Sequence, residues 1–107
     1  MKDPIQPTRC ARMLAALAAP ERLRIVSLLR DGPRTVSEIA ELMGLPIVNV
    51  SHHLTVLRHA HLVRSVRVGR FMRYSLPPSV YQPDADAADH LNLGCCRIEM
   101  PKPPLAG

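Results

Sequence analysis

The stretch that decides the fold is "TVSEIAELMGLPIVNVSHHLTVLRHA", residues 35–60. Its first part predicts a helix with a capping box, because the Thr35 side chain can accept from the Glu38 amide while the Glu38 side chain reaches back. An apolar stripe follows, and Gly44 ends this helix. Only "LP" separates it from a second helix over about residues 46–60. Two short helices joined by so tight a turn predict a helix-turn-helix.

The segments on either side predict further helices and then a hairpin. Upstream, one helix covers residues 8–19, and another begins at Pro20 and ends just before Gly32. Arg24 and Arg30 of this second helix are expected to point away from the core. Downstream, the apolar period changes to that of a strand, and Gly69 and Arg70 lie where a hairpin would turn. The alternating apolar residues of this segment are Met72, Tyr74 and Leu76.

This order of elements predicts an α+β fold, mostly α: a winged helix-turn-helix, with helices plus a two-stranded β-hairpin wing. We expect residues 1–94 to form this domain, with a short helix from Pro83 to Gly94 as its last element. Residues 95–107 are expected to form a Pro-rich tail that contains two cysteines and is frayed beyond them.

The basic charge of the chain is concentrated in one segment. The formal net charge is +5, and twelve of the fourteen basic residues are arginine. No Asp or Glu occurs from Leu42 to Pro83, although this segment holds five arginines and four histidines. Such a segment inside a folded domain indicates a polyanion as partner. The alternative interpretation is a solvated basic face without a partner.

The second helix of a helix-turn-helix contacts base edges with residues near its N-terminus. A helical wheel predicts an inner face with Ile47, Val50, Leu54 and Leu57 and an outer face with Val48, His52, Thr55 and His59, flanked by Asn49 and Ser51. His53 lies between the two faces and is expected to pack or to form hydrogen bonds rather than to contact a base. Asn can pair with adenine, Ser can bond to several bases, and Val can touch a thymine methyl group. The alternative is that Asn49 and Ser51 are ordinary exposed residues.

The predicted wing offers a second set of contacts. Arg67 and Arg70 bracket the hairpin tip, and Arg73 lies on the outer face of a strand. Guanidinium groups on such a tip suit phosphates or a minor groove. We therefore predict that double-stranded DNA is the polyanion, bound by these two sets of residues.

Four blocks of the sequence resemble the ArsR/SmtB family of winged-helix repressors: "LAALAAPERLRIVSLLRDG", "VSEIAELMGL", "VSHHLTVLRHAHLV" and "GRFMRYSL". The resemblance covers about residues 10–76. It implies a homodimer, built mainly from the first and last helices, that binds an operator with two-fold symmetry. It further implies that the protein represses transcription and releases DNA when an inducer binds, with no cofactor required for DNA binding.

The signal sites of the family are only partly matched. The stretch "TVSEIAELMG" lacks the cysteine pair that some members carry on the third helix. A zinc site on the last helix is incomplete, because Asp86, Asp89 and His90 are present but no second His and carboxylate follow. His61 stands at a helix end where the family usually has Gly, so it must adopt a left-handed conformation or the cap must change.

The chain has three cysteines, and Cys95 and Cys96 are adjacent. As(III) and Sb(III) are soft and favour three thiolates, so we predict that Cys10, Cys95 and Cys96 bind such a metalloid as inducer. The alternatives are a zinc site that includes His90, which is less favoured, a sensor of thiol oxidation, and cysteines with a structural role only.

Other classes of protein fit the sequence less well. No Cys-x-x-Cys occurs on a βαβ framework, so a thiol oxidoreductase is disfavoured and we expect no enzyme. A winged helix used only for protein interaction would not need the basic face. No secretory signal and no apolar run of transmembrane length is visible. We therefore expect a cytoplasmic protein with reduced thiols and no membrane partner.

Overall fold

The computed structural model describes residues 6–83 and 90–101 of the chain. Four helices form the largest share of this part, and the strands belong to two small antiparallel sheets. The elements are α1 (Pro7–Leu17), α2 (Pro20–Leu29), β1 (Arg34–Thr35), α3 (Val36–Met43), α4 (Ile47–His59), β2 (Arg64–Val68), β3 (Phe71–Ser75), β4 (His90–Asn92) and β5 (Arg97–Glu99). The predicted winged helix-turn-helix is confirmed.

Local signals fix the bounds of the first two helices. Pro20 begins α2, and Ala19 before it is extended with φ −150° and ψ 136°, as the residue before a proline prefers. Because Ala19 cannot continue a helix in that conformation, α1 ends at Leu17 rather than at residue 19. Pro7 is the first residue of α1, where its missing amide hydrogen costs no helical bond.

The helix-turn-helix has the predicted caps. The Glu38 amide donates to Thr35 Oγ1 at 3.2 Å, and the Thr35 amide donates to Glu38 Oε1 at 2.9 Å. At the end of α4, His61 is left-handed with φ 62°. The amide of Leu62 donates to the carbonyl of Leu57 at 3.0 Å, and that of His61 donates to Arg58 at 3.0 Å. A Schellman-type end thus forms without glycine.

The core lies between the helices and also includes residues from the C-terminal segment. Its fully buried large side chains are Ile25, Val26, Ile39, Val50, Leu54, Leu57, Leu62 and Leu91. Two predictions about this region are wrong. Ile47 was expected in the core, but it is 53% exposed, because it is the first residue of α4 and Val50 is the first to reach the core. Arg30 was expected to point away, but it is buried and donates to the carbonyl of Pro101 at 2.7 Å and to Ser27 Oγ at 3.0 Å.

The wing is the hairpin of β2 and β3, and β1 adds a short third strand in the order β1–β3–β2. The last residue pair is Val68 with Phe71, so the turn consists of Gly69 and Arg70, as predicted. Gly69 has φ 61°, which glycine adopts without the steric cost that a side chain would bring. Glycine at the first central position is typical of a two-residue hairpin turn.

The C-terminal segment differs from the prediction of a short helix that ends at Gly94. Residues 84–89 lie outside the described part, but β4 pairs with β5, with Leu91 opposite Ile98. The turn between them holds Gly94 with φ 85°, and the Gly94 amide donates to Asn92 Oδ1 at 2.9 Å. Burial of Leu91 and Leu93 anchors this hairpin to the core. Residues 97–99 are therefore paired rather than frayed.

Candidate DNA-binding surface and cysteine cluster

The outer face of α4 follows from the burial of its inner face. Val50, Leu54 and Leu57 are completely buried, and helical periodicity turns the residues between them outward. Val48 is 78% exposed, a large value for an apolar side chain next to polar ones. Asn49, His52 and Thr55 are exposed, and Ser51 is half-buried. Thr55 Oγ1 donates to the carbonyl of Ser51 at 2.9 Å, so its hydroxyl proton is engaged within the helix.

His53 lies between the two faces of α4 and contacts α2. Its Nδ1 is 3.3 Å from Arg22 Nη1, and its Nε2 is 4.0 Å from Glu21 Oε2. This agrees with the role in packing and hydrogen bonding expected for His53. The contact fixes α4 against α2, so that the outer face of α4 is held by a rigid support.

The wing arginines are all exposed, but they do not share one face. Arg73 is paired with Val66, while Arg67 is paired with Met72, and these two pairs alternate across the hairpin. Arg70 lies in the turn itself. The wing therefore carries guanidinium groups on both faces of the hairpin and at its turn.

One carboxylate lies close to this basic surface. The pKa of Glu38 is lowered, first by the hydrogen bond from the Thr35 backbone and then by that from the Thr35 side chain, with smaller contributions from the charges of Arg34 and Arg73. Because Glu38 is occupied in the capping box, the arginines of the wing remain available for a partner.

The three cysteines come together although they are far apart in the sequence. Their sulfur atoms all lie within 4.8 Å of one another, and each residue is half-buried. The Sγ atoms of Cys95 and Cys96 are 3.8 Å apart. Cys10 comes from α1, and the other two come from the turn of the β4–β5 hairpin. The sequence did not reveal this hairpin, although Asn92 and Gly94 are typical turn residues.

The expectation of three reduced thiols is wrong for this structure, because Cys10 and Cys95 form a disulfide. The hairpin turn brings the Cα atoms of these residues to 6.0 Å, a usual separation for such a bond. Cys96 keeps a free thiol. After reduction, the cluster offers three sulfur donors to one ion. In the oxidised form it holds one disulfide and one free thiol.

His90 does not join the cluster. Its Nε2 is 2.8 Å from Arg97 Nη2, and among the described residues only the three cysteines have ligand atoms close enough together to hold one ion. The structure therefore gives no support to a zinc site that includes His90. Of the other predicted zinc ligands, Asp86 and Asp89 lie outside the described residues.

Comparisons with known proteins agree with the fold. Residues 19–65 match the family described as "Bacterial regulatory protein, arsR family". The chain is 43% identical over 88 residues to the HTH-type transcriptional regulator NmtR of Mycobacterium tuberculosis. This match covers 78% of this chain and 73% of NmtR. It is 37% identical over 67 residues to the transcriptional repressor SdpR of Bacillus subtilis, across 63% of this chain and 74% of SdpR.

Solved structures show the same architecture. The homodimeric winged helix-turn-helix DNA-binding domain of Mb0332 from Mycobacterium bovis is similar with a TM-score of 0.64 and 34% identity, covering 65% of each chain. HlyU from Vibrio cholerae is similar with a TM-score of 0.63 and 28% identity, covering 65% of this chain and 76% of HlyU. Among the described residues, no helix is long and apolar enough to span a membrane.

Proposed function

Since this chain belongs to the arsR family of bacterial regulatory proteins, and is thus a DNA-binding regulator of transcription, we propose that it is a repressor released from DNA by a soft metalloid. In this proposal a homodimer binds an operator with two-fold symmetry in the cytoplasm. As(III) or Sb(III) bound by the three cysteines is the inducer, and the protein has no enzymatic activity. The observation that carries the choice of inducer is the approach of three sulfur atoms within 4.8 Å.

The exposed surface of α4 supports a division of the DNA contacts, with base contacts made by α4 and phosphate contacts made by the wing. Asn49 and His52 are exposed on a helix whose opposite face is buried, which suits contacts with base edges. Arg67 and Arg70 lie at the wing, where contacts with phosphates are expected. Recognition of sequence is therefore assigned to α4, and most of the salt-dependent affinity to the wing.

Fluorescence anisotropy with DNA from upstream of the coding sequence tests this division. Asn49→Ala or His52→Ala should reduce discrimination between operator and random duplex by about 1–3 kcal/mol per base contact. Arg67→Ala or Arg70→Ala should weaken binding to both duplexes and make the salt dependence shallower. Arg24→Ala, which removes the same charge from an exposed position on α2, is the matched control. The assignment is wrong if the wing variants change sequence preference and the α4 variants do not.

The chemistry of the donor set supports the inducer. Three thiolates suit As(III) or Sb(III) better than they suit hard cations. In the reduced protein, the thiols of Cys10, Cys95 and Cys96 would give up their protons on binding, so binding should weaken as the pH falls. The disulfide form lacks two of these ligands and should not respond until it is reduced.

The elements that carry the cysteines also supply the core under the recognition helix. Met13, Ala16 and Leu17 of α1 are buried with Leu54 and Leu57 of α4 in one cluster. Leu91 and Leu93, next to the cysteine turn, belong to the same cluster. A ligand that joins Cys10 to the turn therefore acts on elements packed against α4, and a small change in half-site spacing costs specific affinity.

A titration of the DNA complex with As(III), in the presence of a phosphine reductant, tests the inducer. Cys95→Ser and Cys96→Ser should each abolish release while DNA binding without the metalloid stays intact, and Cys10→Ser should at least weaken release. If the Cys95/Cys96 double variant responds like the wild type, the sensor assignment is refuted. If that variant loses its fold or its dimer without any metalloid, the pair has a structural role.

Thiol oxidation is a second candidate, favoured by the Cys10–Cys95 disulfide. Hydrogen peroxide would take two electrons and two protons from the two thiols, forming the S–S bond and two molecules of water. This candidate predicts that peroxide alone, without metalloid, changes the affinity for DNA. Cys10→Ser should remove that change, while Cys96→Ser should leave it in place, because Cys96 is outside the bond.

A further inference from the structure

A basic cleft that the proposed function does not use lies between α1, α2 and the end of α4. It consists of two adjoining cavities of about 430 and 510 Å³, which share Arg12 and Ala60 in their linings. Its other lining residues with nitrogen side chains are Arg9, Arg22, His59 and His61. The name basic cleft is used below for this feature.

The charge of the basic cleft is of one sign. Neither cavity has a carboxylate in its lining. Arg9 and Arg12 are exposed and form no hydrogen bond or ion pair with any part of the chain that the structure describes. Arg22 is held in place by its bonds to the Ala16 carbonyl and to His53 Nδ1. The three guanidinium groups that line the basic cleft repel each other unless an anion lies between them.

The floor of the basic cleft is rigid and apolar. Met13, Ala16 and Ala60 belong to the buried core, so the arginines stand on a fixed support. The carbonyl oxygens at the C-terminal end of α4 carry partial negative charge and would repel an anion. Those of Leu57 and Arg58 already accept hydrogen bonds from the amides of Leu62 and His61, which reduces this repulsion. The guanidinium group of arginine has parallel N–H donors that can bind two oxygen atoms of a phosphate group at once.

The position of the basic cleft indicates where the phosphate comes from. His59 is exposed and follows Thr55 by one helical turn along the outer face of α4. The outer face of α4 therefore leads through His59 into the basic cleft, whose lining contains no carboxylate. Phosphates that flank the bases read by α4 are the nearest source of such an anion in the DNA complex.

We propose that the basic cleft is a binding site for a phosphate-type oxyanion, and that the DNA backbone outside the half-site supplies it. This inference rests on the proposed function, because it assumes that α4 reads the operator. It assigns to Arg9 and Arg12 on α1 a DNA contact separate from the helix-turn-helix and from the wing. The contact lengthens the footprint but carries no base specificity.

The test compares two duplexes in a salt titration followed by anisotropy. One duplex ends at the half-sites, and the other extends about one helical turn, roughly 10 base pairs, on each side. Arg12→Ala and Arg9→Ala should each weaken binding of the long duplex about five- to tenfold at low salt and reduce its log–log salt slope by about one. They should leave the short duplex unchanged. Arg24→Ala, which lies outside the basic cleft, should not distinguish the two duplexes.

A second arm uses inorganic pyrophosphate without DNA and measures the melting temperature of wild type and Arg12→Ala. If pyrophosphate stabilises only the wild type while duplex length has no effect, a free anion fills the site and the DNA assignment is overturned. If both arms show no difference between wild type and Arg12→Ala, the site itself is refuted. If Arg12→Ala changes the oligomeric state in light scattering, the basic cleft is a subunit contact, and the proposal is again overturned. A wild type that binds neither duplex would instead refute the proposed function, and pyrophosphate alone would then decide the site.

Discussion

Reduction of the Cys10–Cys95 disulfide should destabilise the protein by several kcal/mol. The two cysteines are 85 residues apart, so the bond closes most of the chain into one loop and restricts the unfolded state strongly. Loop-closure entropy for this separation corresponds to about 4.6 kcal/mol at 25 °C. Residual structure in the unfolded state lowers the effect, and we expect about 2–4 kcal/mol.

Urea unfolding of the oxidised and the reduced protein, followed by circular dichroism at one protein concentration, measures this difference. With a slope of about 1.5 kcal/mol/M for a small domain, the midpoint should fall by roughly 1.3–2.7 M on reduction. Cys10→Ser should match the reduced wild type under both conditions. Cys96→Ser should keep the bond and match the wild type in each condition.

Equal midpoints for oxidised and reduced protein, with the bond verified by mass spectrometry, would refute this reasoning. Such a result would mean that the hairpin turn and α1 hold each other equally well without the covalent link. A large loss of stability in oxidised Cys96→Ser would refute the assignment of the bond to Cys95.

Three further predictions concern the structural support of the site. Leu91→Ala should lower the free energy of unfolding by about 2–5 kcal/mol, because Leu91 is completely buried; Leu14→Ala, at a half-exposed position, is the control in the same denaturation series. His61→Gly should raise the free energy of unfolding by about 0.5–1 kcal/mol, because His61 has φ 62° and glycine adopts this left-handed conformation more easily. An unchanged or lower denaturation midpoint would contradict this. Thr35→Ala should cost about 1 kcal/mol by loss of the cap. Since the pKa of Glu38 is lowered from 4.5, first by the hydrogen bond from the Thr35 backbone, the contribution of the carboxylate is present above pH 4.5 and is lost as the pH falls through the lowered value, so the wild type and Glu38→Gln should converge in stability in acid.

The helices could be predicted because their ends depend on neighbouring residues. Thr35 and Glu38 form their capping box within four residues, and Pro20 sets the conformation of Ala19. The positions of Ile47 and Arg30 could not be predicted in this way, because they depend on what packs against each helix. Arg30 is buried because its guanidinium reaches the carbonyl of Pro101, 71 residues away.

The C-terminal hairpin was missed because its strands are too short to show a period. β4 and β5 have three residues each, and Pro83 and Gly94 are equally typical of helix ends. The adjacency of Cys95 and Cys96 was visible in the sequence, but the approach of Cys10 depends on the packing of α1 beside the hairpin. The donor set could therefore be predicted by residue type, and its disulfide could not.

The position of β2 at the edge of the wing has a consequence for how separate molecules behave. β2 pairs with β3 on one side, and no strand of the described ranges 6–83 and 90–101 lies on its other side. Val66 and Val68 are about half exposed there, and an open edge with apolar residues is a template on which a second chain can pair and aggregate. Arg64 and Arg67 interrupt that edge with charge. Arg67, for which we propose a phosphate contact in the DNA complex, should thus also keep neighbouring molecules from joining edge to edge when DNA is absent.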